Sequence, residues 1–365
     1  MGAFNKTFEF IERNKRIKDE GGYNSIPFGL PELDKHVPGI MKGTQYLVTA
    51  SSGVGKTQLT KCLFVSQPYK FVKANPHLGI KLRIKYYALE ESQTEFMLTL
   101  ISQRLREEWG LIVDPLRLSS MGGYHLSDDI LTKVRLCHEY FEDLEKSIEV
   151  IDNISNPFGI YKDVREYARQ NGKFYFNNLE VDPGGMYDTY IANDQNEWVI
   201  IITDHISLLQ TEKSEDANTL HGAMHKFSAE YCRKNITKHF RYAAVNVQQQ
   251  AADKERLQFN HTGQSVEVKL EPSLDGLGDC KVTQRDAQVV LGLFGPNRYG
   301  IETHLNYDIV KLKDNYRCLT ILKNRFGRPN LKLPLYFDGA TNTFEQLPGI
   351  GTEELSRIYE NVRRA

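Results

Sequence analysis

Ala50-Ser-Ser-Gly-Val-Gly-Lys-Thr57 decides how this chain is read. An apolar run, Tyr46-Leu47-Val48-Thr49, precedes it, and a stretch of helical character from Gln58 to Val65 follows. Strand, small-residue loop and helix, in that order, let backbone N–H groups wrap a polyphosphate at the positive end of a helix. In such a loop Lys56 reaches the β- and γ-phosphates and Thr57 offers its hydroxyl to Mg²⁺, with Ser52, Gly53, Val54, Gly55 and Gln58 completing the cradle. The usual pattern opens on Gly. Ala50 stands there instead, which the backbone accepts if φ is negative at that residue.

The chain's 365 residues suffice for one large or two ordinary domains with a sizeable core. Charged residues make up 25% and the net charge is −1, so no overall polycation announces nucleic acid; any such contact must come from local clusters. The five cysteines lie far apart without a C-x-x-C, which predicts reduced thiols in a cytosolic setting rather than a disulfide frame or zinc site. No apolar stretch approaches the length of a membrane span and no signal-peptide core opens the chain, so the expectation is a soluble, cytoplasmic protein with no membrane partner.

Outward from the loop, strands alternate with helices. Residues 4–19 carry Phe4, Phe8 and Ile11 at helical spacing, a stripe to be buried on this chain's own domain or on a neighbouring subunit. Strands are expected at 83–89, 148–151, 198–203, 242–247 and 287–294, and a β-pair at 317–322 and 331–337. Helices are expected at 127–146, 158–169, 215–238 and, capped by Thr352, at the C-terminus. Residues 173–197 read as an excursion or small hairpin. The alternation predicts an α/β fold with a largely parallel central sheet. The domain bounds are 1–24 for a linker helix, 25–347 for the main domain and 348–365 for a last helix.

A phosphate loop that hydrolyses its nucleotide needs a carboxylate near Mg²⁺, a base for the attacking water and a sensor of the γ-phosphate. Asp204 ends the most hydrophobic strand and suits the metal. Glu90 ends the strand after the loop helix and suits the base; Glu91 is its rival, though neighbours at a strand end point opposite ways. Gln248 ends the next strand and suits the sensor, but three glutamines in a row leave its register open by one.

These stations together, with Ala88-Leu-Glu-Glu-Ser92, Thr203-Asp-His-Ile-Ser207 and Ile321-Leu-Lys-Asn-Arg-Phe326, resemble the replicative hexameric helicases of the DnaB type, and among them the helicase half of phage primase-helicases. Phe28-Gly-Leu-Pro-Glu-Leu-Asp34 and Asp279-Cys-Lys-Val-Thr-Gln-Arg-Asp-Ala287 resemble theirs too, so the likeness runs over about residues 25–345. It implies a RecA-like core assembled as a ring, a hexamer by family habit, with ATP and Mg²⁺ between subunits. Glu90 is then the general base, Asp204 the metal carboxylate and Gln248 the sensor, while Lys323 and Arg325 act on a neighbour's ATP. Phe337 matches a position that stacks on the base, or else is core. The partners implied are single-stranded DNA and a primase or loader in trans, in a host cytoplasm if the chain is viral.

Two departures qualify the resemblance. About 24 residues precede the ATPase region, with no primase-like domain or collar among them. Where the family often has Arg-Glu-Ser-Gly, this chain has Gly278-Asp279-Cys280-Lys281. Lys254, Arg256, Lys269 and Lys281 supply positive charge to the loop at 251–281, but Glu255, Glu267 and Glu271 interleave them, so a solvated loop rivals a DNA-tracking one. A recombinase-like or clock-type ATPase without unwinding, and a nucleotide-binding ring scaffold, are the other readings.

Overall fold

The structure is a computed structural model, and it describes residues 2–182, 184–214, 216–251 and 270–364. Its centre is a nine-stranded sheet. Across it the strands run Thr343–Gln346, Lys332–Asp338, Tyr316–Asn324, Val289–Phe294, Gln45–Ala50, Ala243–Gln249, Glu197–Asp204, Lys81–Ala88 and Ile148–Ile151. The six from Val289–Phe294 onward are parallel; the first three attach antiparallel. This is the RecA-like α/β architecture that the alternating pattern predicts.

Both faces of the sheet are covered, which is why its central strands read as unbroken apolar runs. On one face Val48, Ile200, Ile202, Val245 and Val247 pack with Leu59, Leu63, Phe96 and Leu100. On the other, Val199, Ile201 and Ala244 pack with Ile160, Val164, Met224, Phe227 and Ile236. The period of two along each strand therefore sorts its residues between a core that contains the phosphate-loop helix and one that does not.

Several elements differ from expectation for local reasons. The loop helix starts at Lys56 and runs past Val65 through a widened turn at Cys62–Ser66 to Ala74. Pro68 lacks an N–H and crowds the carbonyl four residues back, and a wider turn relieves both. The charged segment 127–146 is two helices, Asp128–Leu136 and His138–Glu145, with Ser127 capping the first. Thr219 caps the helix expected from 215, so it begins at Leu220. The excursion at 173–197 is a three-stranded antiparallel sheet, Gly172–Phe176, Leu179–Val181 and Thr189–Ala192, whose Phe174 and Tyr190 pack on Phe240 and Tyr242. Thr352 caps the last helix, Glu353–Arg364, accepting from Leu355 N–H at 3.3 Å.

The N-terminal helix spans Ala3–Asp19, and its stripe is not covered by its own domain: Phe4 is 77% exposed, and Phe8, Phe10 and Ile11 are exposed as well. All five cysteines are buried free thiols. Among the described residues no helix is long and apolar enough to cross a membrane.

Candidate nucleotide site

The C-terminal ends of the parallel strands open on a cleft of about 630 Å³. Ser52, Gly53, Gly55, Lys56, Thr57 and Gln58 line it, with Glu90, Glu91, Asp204, Arg317 and Phe337 around them. Crevices of this kind, beyond the carboxyl ends of a parallel sheet, are where α/β folds bind ligands. The sequence that makes the loop is legible in the backbone. Ala50 is still extended strand, paired with Gln249 and Leu293, so the missing glycine costs nothing. Gly53 and Gly55 lie in the left-handed region, φ 71° and 105°, which side chains resist. A Cβ on Gly55 would also sit 3.4 Å from the Phe337 ring. Val54 turns its side chain into the core and its carbonyl outward.

Two strand-end carboxylates face this cleft. Asp204 falls in register with Ile200 and Ile202, on the loop-helix side, and is buried. Its Oδ2 accepts from the Tyr86 hydroxyl at 2.6 Å, while its Oδ1 is buried with no hydrogen-bond partner among the described residues. A buried carboxylate oxygen without a donor, beside the Thr57 hydroxyl and a phosphate loop, fits a Mg²⁺ carried mainly by phosphate oxygens and water. Glu90, in register with Tyr86 and Ala88, is exposed to the cleft, with His205 Nε2 at 3.4 Å from its Oε2. Burial, and then the Lys56 charge, push the His205 imidazolium down from its ordinary value, which keeps the ring neutral beside Glu90. Glu91 points elsewhere: its Oε2 accepts from Lys61 Nζ at 2.7 Å. Burial raises its carboxyl above the usual range, although Lys61 opposes the shift.

Gln248 does not line the cleft. Its amide donates to the carbonyls of Gly278 (2.5 Å) and Cys280 (2.9 Å) and accepts from the Thr283 hydroxyl at 2.5 Å. The strand runs on to Gln249, and alternation puts Gln249, not Gln248, on the face shared by Val245 and Val247. The correction is one residue of register. Gln250 falls back on the Gln248 side, where it donates to Thr49 Oγ1 at 2.9 Å.

Lys323 and Arg325 are not in this cleft either. Their strand runs antiparallel, so Lys323 pairs with Val290 while Ala50, where the loop begins, pairs with Leu293. Three residues of offset is about 10 Å down the sheet, at ~3.3 Å per residue. Both side chains turn further away: Lys323 donates to the Gln284 carbonyl at 2.5 Å, and Arg325 to that of Arg285 at 3.4 Å. Phe337 is buried, stacked on Phe344 at 4.5 Å, and forms the cleft wall beneath Gly55. Lys281 is exposed on the turn that Gln248 holds, whereas Lys254, Arg256 and Lys269 lie outside the described residues.

Sequence reasoning missed Arg317. It is 2% exposed, donates from Nε to the Val54 carbonyl at 2.7 Å, and its guanidinium lies 4.7 Å over the Phe337 ring. It thus clamps the phosphate loop to the cleft wall. Its signal was a charge opening an otherwise apolar strand. Arg106 braces the same wall, bonding Asp338 and, at 2.9 Å, Thr341.

Fold and cleft together define a P-loop nucleotide-binding domain with a RecA-like sheet. Among solved structures the chain is similar to a helicase ATPase domain, at 17% identity and TM-score 0.68 over 95% of this chain and 100% of that one. It is similar to a DnaB-like replicative helicase, described with its interactions with primase, at 17% identity and TM-score 0.66 over 95% of this chain and 68% of that one. The fold is that of DnaB-type helicase ATPase domains. A KaiC-like protein from Pyrococcus horikoshii superposes less well, at TM-score 0.43 and 15% identity. No family model and no curated protein matches the sequence.

Proposed function

We propose that this chain is an ATP-hydrolysing, Mg²⁺-dependent DNA helicase that works as a ring on single-stranded DNA. The observation that carries the reading is the division of the catalytic parts between two ends of one sheet. The phosphate loop, Asp204 and Glu90 share a cleft, while Lys323 and Arg325 stand at the opposite end, out of reach of it. A head-to-tail ring brings one subunit's lower end to the next subunit's cleft, and heterologous contacts of this kind close into rings.

Within such an interface, Lys56 and the loop N–H groups hold the β- and γ-phosphates. Mg²⁺, held by Thr57 and the open oxygen of Asp204, neutralises phosphate charge. Glu90 accepts a proton from the attacking water, a role that its exposure to the cleft permits. The neighbour's Lys323 and Arg325 offset charge on the transferring phosphoryl group; an arginine in that role is worth about 10³–10⁵ in rate. Phe337 and Arg317 form the wall beside the nucleotide. Lys281 and the loop basic residues track a phosphate backbone without reading bases, as single-strand translocation requires. A hexamer, and a primase or loader acting in trans, complete the proposal, since the DnaB-like structure carries interactions with primase.

The deciding experiment measures ATP hydrolysis with and without single-stranded DNA, alongside strand displacement on a forked duplex. DNA-stimulated hydrolysis with displacement is expected. Hydrolysis without displacement would turn the reading toward a recombinase-like ATPase.

A further inference from the structure

One carboxylate at the cleft has no part in that chemistry. Glu91 follows the base directly and lines the same cleft, yet its Oε2 is bound by Lys61 Nζ at 2.7 Å. Lys61 lies on the phosphate-loop helix, and its side chain is only 3% exposed. A lysine is rarely buried so completely unless something specific holds it. The surroundings supply that hold. The ammonium sits 4.5 Å over the Phe96 ring, and Phe96 meets Tyr86 edge-on at 4.7 Å. Tyr86 in turn holds Asp204. Lys61, Glu91, Phe96, Tyr86 and Asp204 thus form one connected brace from the phosphate-loop helix to both strand ends.

The brace falls where the backbone is least constrained. The last strand-type hydrogen bond here runs from Leu89 N–H to the Asp204 carbonyl at 2.8 Å. The next helix starts beyond Ser92, whose side chain and that of Glu95 form a reciprocal cap. Glu90 and Glu91 lie between these two anchors, and Glu90 projects into open cleft. Burial pushes the Lys61 ammonium down, opposed by Glu91, Asp204 and Glu95, so both partners carry a desolvation cost that a pair recovers only in part. Such a contact adds little stability; what it fixes is geometry.

We infer that Lys61 and Glu91 are positioning residues for hydrolysis: their ion pair fastens the Glu90 strand end to the helix whose first residue, Lys56, grips the phosphates. Glu90 is thereby held at a set offset from the γ-phosphate. A carboxylate already committed to a buried ammonium is a poor proton acceptor, which leaves Glu90 as the base. The inference rests on the ATPase reading above.

The test compares Lys61→Met, Glu91→Gln and the double variant with Glu90→Gln and the wild-type chain. It reads steady-state ATP hydrolysis, binding of a fluorescent ATP analogue and thermal unfolding. The double variant matters most, because it leaves no unpaired buried charge and so should fold. Its kcat should fall roughly a hundredfold, the loss expected when a catalytic group is displaced by about 1 Å. Analogue affinity and unfolding midpoint should stay near wild type. A double variant with wild-type kcat would overturn the inference. So would loss of analogue binding in step with kcat, which marks a merely structural pair. Glu91→Gln as inactive as Glu90→Gln, with wild-type-like Lys61→Met, would make Glu91 the base and also overturn it. A wild-type chain that hydrolyses no ATP would instead defeat the proposed function itself, before the variants are compared.

Discussion

Tyr86 donates its phenolic hydrogen to Oδ2 of Asp204 at 2.6 Å, and the other oxygen of that carboxylate stays buried without a partner among the described residues. The two residues lie on neighbouring parallel strands, with Ala88 opposite Asp204. The contact fixes which oxygen remains for a metal. It also explains why burial and Asp204 push the tyrosine's ionisation far up: this hydroxyl serves as a donor at any working pH.

Tyr86→Phe should therefore free the carboxylate to turn. The Mg²⁺ concentration for half-maximal ATP hydrolysis should rise several-fold, and stability should fall by about 1.5–3 kcal/mol for a lost hydrogen bond to a charged group. A Mg²⁺ titration and urea unfolding read the two effects. An unchanged Mg²⁺ dependence would remove Asp204 from the metal site.

Binding and water activation lie on different elements and should separate. Lys56→Ala should lose nucleotide affinity. Glu90→Gln should bind nucleotide normally but hydrolyse it about 10²–10⁴-fold more slowly, the span of a general base. Equilibrium binding and single-turnover hydrolysis distinguish them, and wild-type turnover in Glu90→Gln would disqualify it as the base.

Shared sites predict complementation. Arg325→Ala and Lys56→Ala subunits should each be inactive alone. Mixed and reassembled, they should regain part of the wild-type ATPase, because some interfaces then join an intact loop to an intact arginine. No recovery in rings shown to be mixed would argue that Arg325 acts elsewhere.

The exposed Phe4, Phe8, Phe10 and Ile11 need a cover. Patches of clustered large apolar side chains commonly mark interaction sites. Deleting residues 1–20 should shift the assembly toward monomer in light scattering while thermal unfolding of the domain persists. An unchanged mass would show that the helix does not dock on a neighbour.

The sheet, the phosphate loop, Asp204 and Glu90 were legible because each apolar run stops at its chemical residue. Gln248 was not. Its strand continues into glutamines whose amides are satisfied by the 273–283 segment, far along the chain, and no local pattern reveals such partners. Arg317 was hidden for a related reason: at a strand start, a charge buried against the Val54 carbonyl looks like a solvated one. The short strand Thr343–Gln346 carries too few residues for alternation to register, although its Phe344 helps to wall the site. Lys323 and Arg325 were picked out by likeness alone. That they stand clear of their own cleft needed the pairing register.

The antiparallel run of Tyr316–Asn324 has a consequence for the living cell. On the proposed reading, a newly made subunit carries half of each of two catalytic centres and a whole one of neither. ATP turnover should then vanish faster than linearly on dilution, with specific activity falling as assemblies come apart. Surplus chains would idle rather than drain the nucleotide pool, and fuel would be burned only by assemblies already closed for work.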